Sequence, residues 1–346
     1  MKKAAIVGGT GYGAVELVRL LQSHPKIEIR KIISHSQYGN SIAEAYPHLS
    51  HVFEVTMEEW NAEELKNEID IVFFAAPAGV AKELIPELQD SPIQCVDLSG
   101  DLRLKSAEDY EAWYGIKAAP NATLQQAVYG LTEVFKEDIK HAKIISNPGC
   151  FPTAALLGTV PAIVHNLIQP YPIIIDGKTG VSGAGRKQSA MTHFSETNEN
   201  VTAYKVGHHQ HIPEIDQYLS QAGNQPITTV FTTHLVPMTR GLVCTIYGSL
   251  NRNADTAEII SLYRNFYEGH PFVRIRDEGH FPTTKEVYGS NFCDIGIHAD
   301  ARTNQLIIVS AIDNLVKGAA GQAIQNVNVM NGWDESLGLE DFPVYP

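Results

Sequence analysis

The sequence predicts an α/β fold in two parts: a doubly wound domain with a parallel sheet, followed by an α+β domain with a mixed sheet. Up to residue 149, short apolar runs at 4–7, 27–33, 69–75, 94–98 and 144–146 alternate with helix-like segments. Strands alternating with helices imply a parallel sheet covered on both faces. After residue 150, strand-like runs follow one another with short turns, which implies an antiparallel or mixed sheet. A chain of 346 residues that is 44% hydrophobic has material for two cores. The expected division is 1–149 plus 315–346 for the first domain and 150–314 for the second.

The first unit of pattern is a strand, a glycine turn and a helix, AAIVGGTGYGAVELVRLL. Glycines let a backbone turn sharply and approach a pyrophosphate, and the helix N-terminus offers N–H groups and a favourable dipole. Gly8, Thr10, Gly11, Tyr12 and Gly13 are therefore candidate cofactor contacts; a glycine turn without a ligand is the plainer alternative. The strand at 27–33 ends in Ser34, His35 and Ser36, with no carboxylate to hold a ribose 2'-hydroxyl. That favours NADP(H) over NAD, with Ser34 and Ser36 bonding the 2'-phosphate and Lys31 or His35 adding charge. AAPAG (75–79) and DLSGD (97–101) lie where strands meet their following loops, the edge at which open α/β sheets bind ligands. Ala76, Pro77 and Ser99 join the cofactor set on that basis. Arg103 suits an anionic substrate group, because a guanidinium matches oxyanion geometry bidentately; a salt bridge with Asp101 or Glu108 is the other reading.

The stretch IISNPGCFPT (144–153) again reads strand, turn, helix. Proline is tolerated in a first helical turn, so Cys150 should sit at a helix N-terminus, where unpaired N–H groups and the dipole stabilise a thiolate. The alternative is an ordinary buried cysteine.

In the second domain, PIIIDGKTGVSGAGRK (172–187) is a strand running into a glycine and serine loop, which offers Ser182, Gly183 and Arg186 to an anion. VGHHQHIPEIDQYLSQAG (206–223) places His208, His209 and His211 before a helix opened by Pro213 and Glu214. Residues 228–250 read as two strands meeting at PMTRG, which carries Arg240, in a hairpin-like pair, and 292–300 with 305–313 as another. Residues 256–267 are helical, and 314–330 form a small-residue helix that returns to the first domain. His209 and His211 are candidate acid/base groups, since imidazole titrates near neutrality and cysteine chemistry needs such a partner. Structural histidine is the alternative, and no metal is expected because the ligand count is short.

Lys plus Arg 26 against Asp plus Glu 39 gives a net charge of -13, which argues against nucleic acid and requires a local basic pocket for any anionic ligand. The four cysteines lack paired spacing, so neither a disulfide framework nor a zinc site is expected. The N-terminus has no signal-peptide h-region and no later run approaches membrane-spanning length. A soluble cytoplasmic protein with no membrane partner is the expectation.

Together, SNPGCFPT, GGTGYG, GVSGAGRK, HQHIPEI, DLSGDLRL and KGAAGQAIQN resemble the N-acetyl-gamma-glutamyl-phosphate reductases, an arginine-biosynthesis family related to aspartate-semialdehyde dehydrogenase. The resemblance covers essentially the whole chain, with Phe151 where many members have Tyr. It implies a Rossmann-type NADP-binding domain, a substrate and dimerisation domain, and NADPH-dependent reduction of an acyl phosphate to a semialdehyde through a cysteinyl thioester. By similarity Cys150 is the nucleophile and His209 and His211 supply acid/base chemistry. Arg103, Ser182, Gly183, Arg186, Glu214 and Arg240 meet the small-molecule substrate, and Asn314 belongs to the cofactor set. A homodimer or homotetramer is the expected assembly. A carrier-bound aminoadipyl-phosphate reductase of lysine biosynthesis, a cofactor-independent cysteine acyltransferase and a nucleotide sensor are the alternatives.

Overall fold

The computed structural model describes every residue, Met1–Pro346. The chain divides into two compact units, Met1–Pro148 with Ala319–Glu340, and Gly149–Gly318 with Asp341–Pro346. The last six residues thus group with the second unit, not with the first as the sequence suggested.

The first unit is built on seven strands, β1 (Lys2–Val7), β2 (Ile27–Ile33), β3 (Met57–Glu58), β4 (Ile71–Phe74), β5 (Gln94–Asp97), β6 (Val128–Tyr129) and β7 (Ile144–Ser146). Their order is β3-β2-β1-β4-β5-β7-β6, and every pairing is parallel. Strand β4 and residues 4–7 of β1 are apolar and buried, as a sheet covered on both faces requires. Because β2 and β4 flank β1, the strand order reverses there, and the loops after β1 and β4 open onto the crevice where such sheets take ligands. The two-residue strands β3 and β6 have too few residues to show a period in the sequence.

The returning helix Gly321–Met330 belongs to this unit and is buried along its whole length. Its buried amide nitrogens have partners, whereas Gln322 Oε1 has none. Asn326 Nδ2 donates to the carbonyl of Gly130 at 2.8 Å and to Asn147 Oδ1 at 3.1 Å, and Gln322 Nε2 donates to Gly130 O at 2.9 Å. Buried amides satisfied in this way fix a unique seat for a helix that lacks bulky side chains.

The second unit carries β8 (Ile168–Thr179), β9 (Thr202–Tyr204), β10 (Thr229–Leu235), β11 (Leu242–Leu250), β12 (Val273–Ile275), β13 (Cys293–Asp300) and β14 (Gln305–Ile312). Their order is β12-β13-β14-β11-β8-β10-β9. The sheet is mixed: β8 runs parallel to β10 and antiparallel to β11, and β13 pairs antiparallel with β14. The strands joined by PMTRG do not form the hairpin that their short turn suggested, because β8 lies between them. Helix Cys150–Val164 is apolar on all sides and almost wholly buried. It presses so closely on the sheet that a Cβ on Gly158 would meet Ile246 Cδ1 at 2.7 Å. Tyr263 and Tyr267, at the end of helix Thr256–Phe266 and just after it, hold it from outside through bonds to the carbonyls of Gly158 and Leu157 at 2.8 and 2.6 Å.

Candidate active site

The glycine turn after β1 is shaped by close backbone packing. Gly8 has φ +95°, and a Cβ there would meet the carbonyl oxygen of Ala75 at 2.6 Å; only glycine fits a left-handed residue packed against backbone. Gly13, by contrast, has no neighbour closer than 4.0 Å, so its missing side chain leaves open space at the helix start. Helix Tyr12–Leu21 begins from Gly11 with no side-chain cap and no acidic residue in its first turn. Its N–H groups and positive dipole end are thus left for a ligand. Thr10 is tied down through its carbonyl, which accepts from Tyr46 Oη at 2.9 Å.

Beyond β2, Ser34 is buried and Ser36 exposed. Lys31, which the sequence offered as a phosphate partner, instead faces Glu58 at 2.7 Å, Glu64 and Glu68; its charge is spent on the carboxylates. At the ends of β4 and β5, Ala76 is half-buried and Pro77 exposed. Ser99 donates its hydroxyl to Asp97 Oδ1 at 2.6 Å. Asp101 binds the loop after β4, accepting from Gly79 N at 2.8 Å and Lys82 N at 3.1 Å, and accepts a hydrogen bond from the Tyr110 hydroxyl at 2.6 Å. Burial, then the neighbouring Asp101, pushes the Asp97 carboxyl up to about 6. Arg103 Nε donates to the carbonyl of Asn147 at 2.9 Å and its Nη2 to that of Leu98 at 3.0 Å, which fixes the guanidinium plane.

In the second unit, Cys150 is the first residue of helix Cys150–Val164, capped by Gly149, with no acidic residue in the first turn. It is the one cysteine that is not buried. Burial pushes the Cys95 thiol up to about 12, and burial followed by the charge of Cys150 raises Cys244 well above the usual thiol range, so both are inert as nucleophiles. Two glycines seat the nucleophile. A Cβ on Gly318 would meet Cys150 Cβ at 2.8 Å, and one on Gly177 would overlap the ring of Phe151.

The histidines do not all precede the helix as the sequence suggested: helix His211–Gly223 begins at His211 itself. The rings of His209 and His211 still lie 4.7 Å apart. Phe151, Tyr204 and Phe231 meet the His209 ring edge-on at 5.8, 5.7 and 5.6 Å. Burial in this aromatic cage, then the charge of Lys205, holds His209 down at about 3, so it is a neutral imidazole at physiological pH. Its Nδ1 accepts the backbone N–H of His211 at 3.1 Å. The ring proton therefore sits on Nε2. His208 is exposed. Glu214 is fully buried, and its Oε1 accepts the backbone N–H of Gly149 at 2.9 Å. Sequence reasoning did not find Tyr204, on β9, whose phenol is raised by burial and then by the charge of Cys150.

The loops carrying Ser182 and Arg240 come together. Gly180 N donates to Gly241 O, Val181 N to Met238 O and Ser182 N to Thr239 O, at 2.9 to 3.0 Å. A Cβ on Gly180 would strike the carbonyl oxygen of Met238 at 2.8 Å. Ser182 is buried, whereas Gly183 and Arg186 are exposed. Arg240 pairs with the fully buried Asp313, Nε to Oδ2 at 3.1 Å, beneath the Tyr288 ring at 5.4 Å. Asn314, which the resemblance gave to the cofactor, lies in this second unit between Gly241 and Ser182. Asp313 was missed too, although it is the last residue of the final strand-like run. No group of three or more His, Cys, Asp and Glu side chains is placed to hold a metal ion, and no helix is long and apolar enough to cross a membrane.

Residues 3–142 match the family model described as semialdehyde dehydrogenase, NAD binding domain, and residues 150–314 that described as semialdehyde dehydrogenase, dimerisation domain. An N-acetyl-gamma-glutamyl-phosphate reductase of Oceanobacillus iheyensis is 63% identical over 347 residues, covering 100% of both chains. That of Bacillus subtilis is 53% identical, covering 99% of this chain and 100% of its own. Among solved structures, aspartate semialdehyde dehydrogenase II of Vibrio cholerae superposes with a TM-score of 0.72 at 16% identity, covering 96% of this chain and 98% of its own. The Candida albicans enzyme, solved with NADP, gives 0.68 at 15%, covering 97% and 99%. At such identities these structures speak for the fold alone.

Proposed function

The chain belongs to the semialdehyde dehydrogenase family, and we propose that it is an N-acetyl-gamma-glutamyl-phosphate reductase: NADPH-dependent reduction of the acyl phosphate to N-acetylglutamate 5-semialdehyde, with release of phosphate, in arginine biosynthesis. The observation that carries the chemistry is Cys150, partly exposed at an otherwise uncharged helix N-terminus, with the rings of His209 and His211 packed against its neighbour Phe151. Identity of 63% across the whole of both chains supports the substrate.

The Cys150 sulfur attacks the acyl carbon and phosphate leaves, giving a thioester that accepts hydride more readily than a carboxylate would. NADPH, when bound, supplies that hydride. The glycine turn at Gly8–Gly13 fits its pyrophosphate: the open helix start and the empty space at Gly13 accept anionic oxygens, and exposed Ser36, with no carboxylate beside it, suits a 2'-phosphate. His209, neutral with its proton on Nε2, donates to the oxyanion that forms when the thioester carbon becomes tetrahedral. His211 handles the thiol proton. Collapse of the thiohemiacetal then releases the semialdehyde and restores the sulfur. Ser182 and Arg240 meet the anionic groups of the substrate.

The assembly is a dimer, in line with the dimerisation-domain match, and its seam is the outer face of the second sheet. There Tyr247, Ile174 and Val230 stand side by side on neighbouring strands, 37, 43 and 45% exposed, an apolar row that a second copy covers. Light scattering of Ile174→Asp should show monomer. A biosynthetic reductase of this kind works in the cytoplasm. The function itself is tested by the reverse reaction: NADP reduction should require both N-acetylglutamate semialdehyde and phosphate. Absence of turnover with both present would refute the assignment.

A further inference from the structure

We infer that Asn314 is a positioning residue of the substrate face: it turns the hydroxyl of Ser182 into a hydrogen-bond donor aimed at an oxyanion of the substrate. This rests on the reading above that Ser182 and Arg240 meet substrate. Asn314 Oδ1 accepts the backbone N–H of Gly241 at 2.7 Å. A backbone amide can only donate, so the orientation of the carboxamide is set and Nδ2 must face Ser182 Oγ, 2.9 Å away. An amide nitrogen likewise can only donate. Ser182 Oγ is therefore the acceptor in this contact, and its own proton is directed elsewhere, polarised by the bond it receives.

The surroundings hold this arrangement rigidly. Asn314 is buried, and the two turns it bridges are joined by the backbone bonds of residues 180–182 to 238–241. Asp313, its neighbour, fixes the guanidinium of the same turn, accepting from Arg240 Nη2 at 3.2 Å. Asp313 is anchored in its turn by the N–H groups of Leu315 at 2.8 Å and Gly289 at 2.7 Å. Two consecutive residues at the end of β14 thus set a hydroxyl donor and a cation on adjoining turns, the combination that recognises a carboxylate or phosphate oxygen.

A double-mutant cycle in the reverse reaction tests this, with KM measured separately for phosphate, semialdehyde and NADP. Ser182→Ala and Asn314→Ala should each raise KM for the same anionic substrate by about ten-fold, the size of one hydrogen bond to a charged group. The double variant should resemble the single ones, with KM for NADP unchanged. Which of the two KM values rises identifies the anion as phosphate or as the carboxylate of the semialdehyde. Effects that multiply, or a rise confined to NADP, would overturn the inference. If Asn314→Ala does not fold, Asn314→Asp keeps the acceptor for Gly241 but draws the Ser182 proton inward; the same rise is expected, and an unchanged KM overturns the proposal. Wild-type protein without reverse activity would remove the functional reading and this inference together, whereas an active wild type with multiplying variants removes the inference alone.

Discussion

The carboxylate of Glu214 accepts the backbone N–H of Gly149 at 2.9 Å, so a buried acid from helix His211–Gly223 secures the residue that caps the nucleophile's helix. The two residues are 65 positions apart, and the bond ties the histidine segment to the Cys150 turn. Glu214→Ala should leave a buried N–H without its partner, costing about 1–3 kcal/mol, and should lower kcat by loosening the turn. Glu214→Gln retains an acceptor and should keep most of the stability. Urea midpoints and kcat for both variants check this; equal losses in the two would contradict it.

The cage around His209 gives a pH dependence with a definite sign. Its folded-state value, about 3, lies below the ordinary histidine value of about 6.5, so folding favours the neutral ring. The stability this contributes is complete above pH ~6.5 and is lost as pH falls from there towards 3, at up to about 1.4 kcal/mol per pH unit. Over that window wild type should lose stability more steeply than His209→Asn in urea titrations. Parallel curves would show that the ring is not held neutral.

Gly8 and Gly13 should separate folding from binding. Gly8→Ala forces a side chain into left-handed backbone against the Ala75 carbonyl and should cost about 1–3 kcal/mol or more. Gly13→Ala lies in a helix with open space around it and should fold at least as well as wild type, yet bind NADPH more weakly because its methyl enters the anion space. Tm and NADPH titration of each variant decide the matter; a Gly13→Ala protein with normal NADPH affinity would mean that the pyrophosphate lies elsewhere.

Much of this was readable from local sequence. The strand, glycine turn and helix after residue 2, and the helix start at Cys150, follow from residues that are neighbours in the chain, where turn and capping chemistry act. Tertiary choices were not readable in the same way. The short PMTRG turn suggested a hairpin, but β8, from residues 168–179, inserts between the strands it joins. Lys31 looked available until Glu58, Glu64 and Glu68 were brought to it by folding. Asn314 meets Ser182 across 132 positions, a distance over which periodicity carries no information.

Cofactor preference depends on the exposed residue after β2. Ser36→Asp should repel a 2'-phosphate and shift kcat/KM from NADPH towards NADH, while Ser34→Asp, at a buried position, should mainly destabilise. Comparing the NADPH to NADH ratio before and after the Ser36 change tests this, and an unaltered ratio would displace the phosphate site.

The central claim is that the sulfur of Cys150 carries the acyl group, and Cys150→Ser tests it most directly when NADPH binding and steady-state reduction of N-acetyl-gamma-glutamyl phosphate are measured on the same preparation. The account predicts near-normal NADPH affinity with turnover lowered by about 10⁴-fold or more, as when a covalent nucleophile is removed. A variant that still reduces the acyl phosphate at a substantial fraction of the wild-type rate would contradict it.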